Sequence, residues 1–193
     1  SFIYLIIYSC FIMSVSLQAQ EHFADRYNVS YITMDDGLPH NFIDDIYKDT
    51  RGFLWISTAG GGLSRYDGYE FIHFNPNTPH SKLKSNFIHN VYEDRFHRLW
   101  IVSEGGTDII DLSTLQSVIP NDPKGLLPRF INHPTYIVIL DSQGCIWLQC
   151  DNALHRITFD AEGGIDTLST LDLPEQDEPD LILKDIDEDG KIW

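Results

Sequence analysis

Every tryptophan in the chain occupies the same place in a repeat. Trp55, Trp100, Trp147 and Trp193 recur at intervals of 45, 47 and 46 residues, and each closes a gapless seven-residue segment: DTRGFLW, DRFHRLW, DSQGCIW and DEDGKIW. The segments open on Asp49, Asp94, Asp141 and Asp187 and carry Gly52, His97, Gly144 and Gly190 at the fourth position. The first two copies extend further back, with NFIDDIYKD at 41–49 matching NFIHNVYED at 86–94. A fixed period of this length marks a repeat architecture, in which each copy is one supersecondary unit.

Each copy reads as strands joined by turns. An apolar-rich strand comes first (FIDDIYK, FIHNVYE, TYIVIL). The aspartate then opens a tight turn, its carboxylate accepting turn amides, and the fourth position takes a positive φ. Gly suits that position, and His is among the few side chains found there. The second strand is apolar at three successive positions, Leu54-Trp55-Ile56, Leu99-Trp100-Ile101 and Ile146-Trp147-Leu148. Such a run, bounded by turns, predicts a strand covered on both faces. GLSRY, TDIID and ALHRITF make a third strand. YEFIHF, LQSVI and GIDTLS make a fourth, after turns at Asp67, Asp111 and Asp160. Four short antiparallel strands per period of 45 to 47 residues is the content of one propeller blade. A β-sandwich imposes no such period.

The expected fold is therefore all-β, a β-propeller fragment of three four-stranded blades and the start of a fourth. Residues 1–19 form a signal peptide and 20–40 a lead-in whose strand at 27–34 closes the ring. Blades 1 to 3 occupy 41–74, 75–119 and 120–168, and a truncated blade 4 occupies 169–193. Propellers need about four to eight blades, so sequence is expected beyond both ends. The signal reading rests on an uncharged first 20 residues, SFIYLIIYSCFIMSVSLQAQ, with a 16-residue apolar stretch at 2–17, short for a spanning helix. Cys10 leaves with it. Cys145 and Cys150 lie on opposite faces of one strand, about 16 Å apart, too far for a disulfide, and read as small buried residues.

The net charge is -16, from 29 acidic and 13 basic residues. A surface this acidic suits neither nucleic acid nor anionic lipid. The DIDEDG at 185–190 resembles the opening of a calcium loop through Asp185, Asp187 and Asp189. Asp187 and Gly190 are already accounted for by the repeat, however, and the Glu that ends such a loop would fall beyond Trp193. No metal and no cofactor is expected. The repetition of Trp55, Trp100, Trp147 and Trp193 makes them core rather than sugar platforms. TAGGGL at 58–63 lacks the Lys-Ser/Thr of a phosphate cradle. Asp44 and Asp45 are adjacent on a strand, point to opposite faces, and cannot work as a paired acid and base. No catalytic residue is assigned. The connections longer than tight turns (58–62, 103–107, 75–86, 120–134, 169–180) fall at one end of the strands, and this loop end is the expected ligand face, for a polar ligand.

GLPHNFIDDIYKDTRGFLWISTAGGGLSRYDGYEFIHF (37–74) and NPNTPHSKLKSNFIHNVYEDRFHRLWI (75–101) resemble the regulator-propeller repeat of two-component systems. The likeness covers about residues 27–193 and fades in the third copy, where GGG gives way to DN. WD and kelch patterns are absent. The resemblance implies a periplasmic sensor region of a membrane-anchored, homodimeric hybrid histidine kinase that detects oligosaccharides and switches on polysaccharide-utilisation genes. An exported propeller enzyme (a lyase or glycoside hydrolase) and an adhesion or scaffold module remain the alternatives.

Overall fold

The structure, a computed structural model, describes residues 30–79, 82–150 and 152–173. The chain divides into two compact units, Ser1–Ile32 and Thr33–Trp193, and all described strands lie in the second. The expected signal peptide, Trp193, Asp185, Asp187, Asp189 and Gly190 lie outside the described residues.

Three antiparallel sheets follow one another along the chain, each with its strands in sequence order. Blade 1 holds β1 (Ile43–Lys48), β2 (Leu54–Thr58), β3 (Gly62–Tyr66) and β4 (Phe71–Phe74). Blade 2 holds β5 (Ile88–Glu93), β6 (Arg98–Ser103) and β7 (Gly106–Asp111). Blade 3 holds β8 (Thr135–Leu140), β9 (Ile146–Cys150), β10 (Ala153–Phe159) and β11 (Ile165–Asp172). The first strands pack side by side, β5 against both β1 and β8.

Three expectations change. LQSVI forms no fourth strand in blade 2. It is joined to the sheet by an isolated Ile110–Ser117 bridge and by bonds such as Val118 N–H to Ile109 O at 2.9 Å. Pro120 follows at once, and a residue without an N–H cannot extend the ladder. At the front, residues 30–33 make no strand and Met34–Asp36 is a 3-10 turn. Thr33 caps that turn: its hydroxyl accepts the Asp35 amide, and its own N–H donates to Asp36 Oδ2 at 2.8 Å. At the other end β11 continues to Asp172, past residue 168.

The repeat segment is a turn and a core anchor in one. Asp49 Oδ1 accepts the amides of Arg51 and Phe53, and Oδ2 accepts the Trp55 indole N–H at 3.0 Å. Asp94 repeats this with Phe96, Arg98 and the Trp100 indole at 2.8 Å. Asp141 repeats it with Gln143, Cys145 and the Trp147 indole at 2.9 Å. The fourth positions have positive φ: Gly52 at 93°, His97 at 58° and Gly144 at 76°. Each aspartate thus satisfies the one polar atom of a tryptophan that the core must swallow. Hydrogen bonds to a charged acceptor contribute about 1.5–3 kcal/mol each.

The cores lie between blades. Trp55, Leu63 and Phe74 of blade 1 cluster with Ile88, Val91 and Ile101 of blade 2. Trp100, Val102 and Ile109 of blade 2 cluster with Val138, Leu148 and Ile157 of blade 3. Blade 2, with a neighbour on each side, buries every residue of β6. Trp55 and Trp100 are fully buried, whereas Trp147 on the far side of blade 3 is half-buried.

Candidate functional site

A single irregularity recurs at the start of each described first strand. In β1 the register passes from Ile43–Thr58 to Asp45–Ser57, skipping Asp44. In β5 it passes from Ile88–Ser103 to Asn90–Val102, skipping His89. In β8 it passes from Thr135–Cys150 to Ile137–Gln149, skipping Tyr136. One residue too many on one strand is a β-bulge, which frees a side chain from the ladder and re-aims it. Asp44, His89 and Tyr136 are therefore equivalent, and the His89 and Tyr136 rings lie 5.6 Å apart.

The residue after each bulge serves the scaffold instead. Asp45 Oδ2 accepts the Val91 amide at 3.1 Å and the Asn90 side-chain amide at 3.3 Å. One blade on, Asn90 Oδ1 accepts the Val138 amide at 3.0 Å. Burial pushes the Asp45 carboxyl above its ordinary value, opposed by these hydrogen bonds. Asp44 and Asp45 thus have separate surroundings.

Beside the bulges lies an open cavity of about 340 Å³, lined by Asp44, Ala59, Phe87, Ile88, His89 and Glu104. Ala59 and Glu104 come from the β2–β3 and β6–β7 connections, so the cavity opens at the loop end. Ala59 N–H donates to Phe42 O at 3.1 Å and Glu104 N–H to Phe87 O at 3.4 Å, tying each connection to the residue before the first strand. A side-chain carbon at Gly60 would stand 3.7 Å from the Phe87 ring. Phe87 remains 53% exposed, an aromatic face available to a ligand. His89 Nε2 is shielded from solvent and has no hydrogen-bond partner.

The glycines of these connections serve close packing. A side chain at Gly61 would strike Thr58 and Pro39, and one at Gly106 the Ile131 carbonyl. The repeat tryptophans among the described residues sit in the packing. Trp55 and Trp100 are sealed, and Trp147 is overlain by the Arg156 guanidinium at 5.8 Å. Among the described residues, no group of three or more His, Cys, Asp or Glu is placed to hold a metal. No helix there is long and apolar enough to cross a membrane. Cys145 and Cys150 are both buried. Sequence reasoning did not single out Phe87, His89 or Glu104. The signal was present in the alignment of 41–49 with 86–94, where His89 stands opposite Asp44 at the most dissimilar position.

The two component regulator propeller family matches residues 37–60 and 82–105. Both segments are similar to the regulator-propeller repeat. Each regulator-propeller match starts before a first strand, crosses its bulge and the aspartate turn, and ends in the β2–β3 or β6–β7 connection. The two matches hence contain all six cavity residues. The extracellular domain of a protein of B. thetaiotaomicron named as a hybrid two component system superposes with a TM-score of 0.58 at 21% identity, over 74% of this chain and 20% of that one. A second B. thetaiotaomicron extracellular domain, named as a one component system, gives 0.52 at 24% identity over 68% and 19%. A catalytically inactive virginiamycin B lyase from Staphylococcus aureus gives 0.50 at 14% identity over 72% and 44%. These likenesses show the propeller fold. The chain spans about a fifth of the length of the two B. thetaiotaomicron domains. A search of curated proteins finds no match.

Proposed function

We propose that this chain belongs to the extracytoplasmic, ligand-sensing propeller of a hybrid two-component sensor kinase. In this reading the ligand is an oligosaccharide, and the output is transcription of polysaccharide-utilisation genes. The protein is exported to the periplasm by residues 1–19, anchored in the inner membrane and homodimeric. One observation carries the reading: two regulator-propeller repeats each contribute a bulge or strand-start residue and a loop residue to one open, polar cavity with an exposed phenyl ring. Concave sites with an apolar surface and a few convergent polar groups are where small ligands bind. The nature of two B. thetaiotaomicron neighbours as extracellular domains of signalling systems supports the same assignment.

Calorimetry of the complete ectodomain against defined oligosaccharides tests it. Phe87→Ala is expected to weaken binding at least about tenfold, the worth of a lost stacking contact. Glu162→Ala, on the tight turn at the opposite end, is expected to leave binding unchanged. The reverse pattern rejects the loop end as the ligand face.

An exported lyase or hydrolase is the second reading. It is favoured by the presence of His89 in a lining with two carboxylates, the residue types of general acid-base chemistry. Turnover of a bound oligosaccharide that disappears in His89→Gln selects this reading. Binding without turnover rejects it.

A further inference from the structure

The cavity has a one-sided charge. Asp44 and Glu104 are both exposed residues of its lining, and the lining contains neither Lys nor Arg. Lys84, in the connection before β5, is committed elsewhere: its Nζ donates to Asp108 Oδ1 at 3.1 Å and to the Thr107 carbonyl at 2.6 Å. Neither Asp44 nor Glu104 has a hydrogen-bond or ion-pair partner through its carboxylate among the described residues. An ionised carboxylate only accepts hydrogen bonds. Whatever fills the space between them must therefore bring donors. It must also tolerate a field that the net charge of -16 reinforces.

The other lining groups narrow the ligand further. The exposed Phe87 ring offers a flat apolar face, against which the C–H face of a pyranose or an ammonium group packs favourably. His89 contributes its ring to the lining, with its Nε2 shielded from solvent. Together these describe a slot for a ring that is apolar on one side and studded with O–H or N–H donors at its edge.

Resting on the sensing reading above, we infer that the cavity selects non-anionic sugars. It takes neutral or amino-bearing residues through Asp44 and Glu104, and it discriminates against uronate and sulfated units. The discrimination is repulsive: an anionic group placed here meets two carboxylates and no cation. Building a clash against the wrong ligand is an effective route to specificity.

The test is a panel of oligosaccharides, each backbone present in neutral, free-amine, uronate and sulfated forms, titrated into the complete ectodomain at about pH 8, above the imidazole range. Neutral or amine forms are expected to bind, with their anionic counterparts at least about tenfold weaker. In the double variant Asp44→Asn/Glu104→Gln the penalty on the anionic forms should shrink to within about threefold. Both side chains are exposed and without partners, so the variant should fold. A uronate or sulfated form that binds wild type as tightly as its neutral counterpart, and is lost in Phe87→Ala, overturns the charge selection while leaving the sensing reading intact. If no oligosaccharide of any form binds, the sensing reading falls, and charge selection is then judged by nitroxide probes. A cationic nitroxide should broaden the Phe87 and His89 resonances more than an anionic one, and the difference should vanish in the double variant. Equal broadening overturns the inference.

Discussion

The carboxylate of Asp45 accepts the backbone N–H of Val91 across the gap between blades 1 and 2, at 3.1 Å. Asn90 makes the same contact one blade later, to Val138. Val91 and Val138 are buried, and water does not substitute readily for either acceptor. Asp45→Ala is expected to cost about 1–3 kcal/mol, the penalty of an orphaned buried amide. Urea denaturation and the exchange rate of the Val91 amide measure it.

Asp45→Asn should behave differently. Asparagine already does this work at position 90, and its carbonyl oxygen can accept both the Val91 and the Asn90 donors. Burial raises the Asp45 carboxyl above its ordinary value. The folded state therefore holds that proton more tightly, and the contribution is present at low pH and lost as pH rises through the raised value. At neutral pH Asp45→Asn removes a partly buried charge and is expected to be neutral or stabilising by up to about 1 kcal/mol. A loss above about 2 kcal/mol at pH 7 would contradict this.

Asp141 titrates with the opposite sign. Burial works against its ionised form, but the Trp147 indole, the Cys145 and Gln143 amides and Arg156 together hold its carboxyl below the ordinary value. Its contribution is present above the ordinary carboxylate range, near pH 3.9, and lost as pH falls through the depressed value. The protection factor of the Cys145 amide, with the intrinsic pH dependence of exchange divided out, should fall on acidification in wild type and not in Asp141→Asn.

Asp94 should matter more than Asp141. Its side chain is fully buried and meets Arg98 Nε at 2.7 Å, while Arg98 donates onward to the Gly163 carbonyl and its guanidinium lies 5.0 Å from both Phe96 and Phe159. The Arg156–Asp141 pair is longer, at 3.4 Å, and more exposed. Asp94→Ala strands a buried cation and is expected to cost about 3–5 kcal/mol. Asp141→Ala should cost about half that. Thermal unfolding of the two variants ranks them.

Glycines at positive φ should also separate by surroundings. Gly52 has φ 93° with open space where a side chain would go, whereas Gly106 has φ 115° and faces the Ile131 backbone. Gly52→Ala is expected to cost about 1–2 kcal/mol. Gly106→Ala, with the same strain plus a collision against main chain, should cost about 3–5 kcal/mol. Chemical denaturation compares them directly.

The blade period was legible because it depends on local chemistry. An aspartate, a residue tolerant of positive φ and an apolar triplet are enough to place a turn and a doubly covered strand. The bond from Asp49 to the Trp55 indole was not legible, because a turn aspartate is already explained by the amides it accepts. LQSVI misled because its composition suits a strand and only the following Pro120 argues otherwise. The cavity was hidden for a different reason. Phe87, His89 and Glu104 meet Asp44 through the docking of two blades, and a bulge shifts side-chain direction without leaving a mark in residue type. Adjacency of Asp44 and Asp45 suggested simple alternation, whereas the register skip separates a cavity-lining residue from a scaffold residue.

That skip has an evolutionary consequence. The bulged position takes no part in the ladder, and its residues lie outside the buried interblade clusters, although His89 and Tyr136 touch across blades 2 and 3. Asp, His and Tyr stand there in three successive blades. Copying a blade therefore copies a stable unit together with one vacancy for invention. A ring assembled this way resembles a combination lock: each blade carries one dial at the mouth, and a dial can be turned without rebuilding the case.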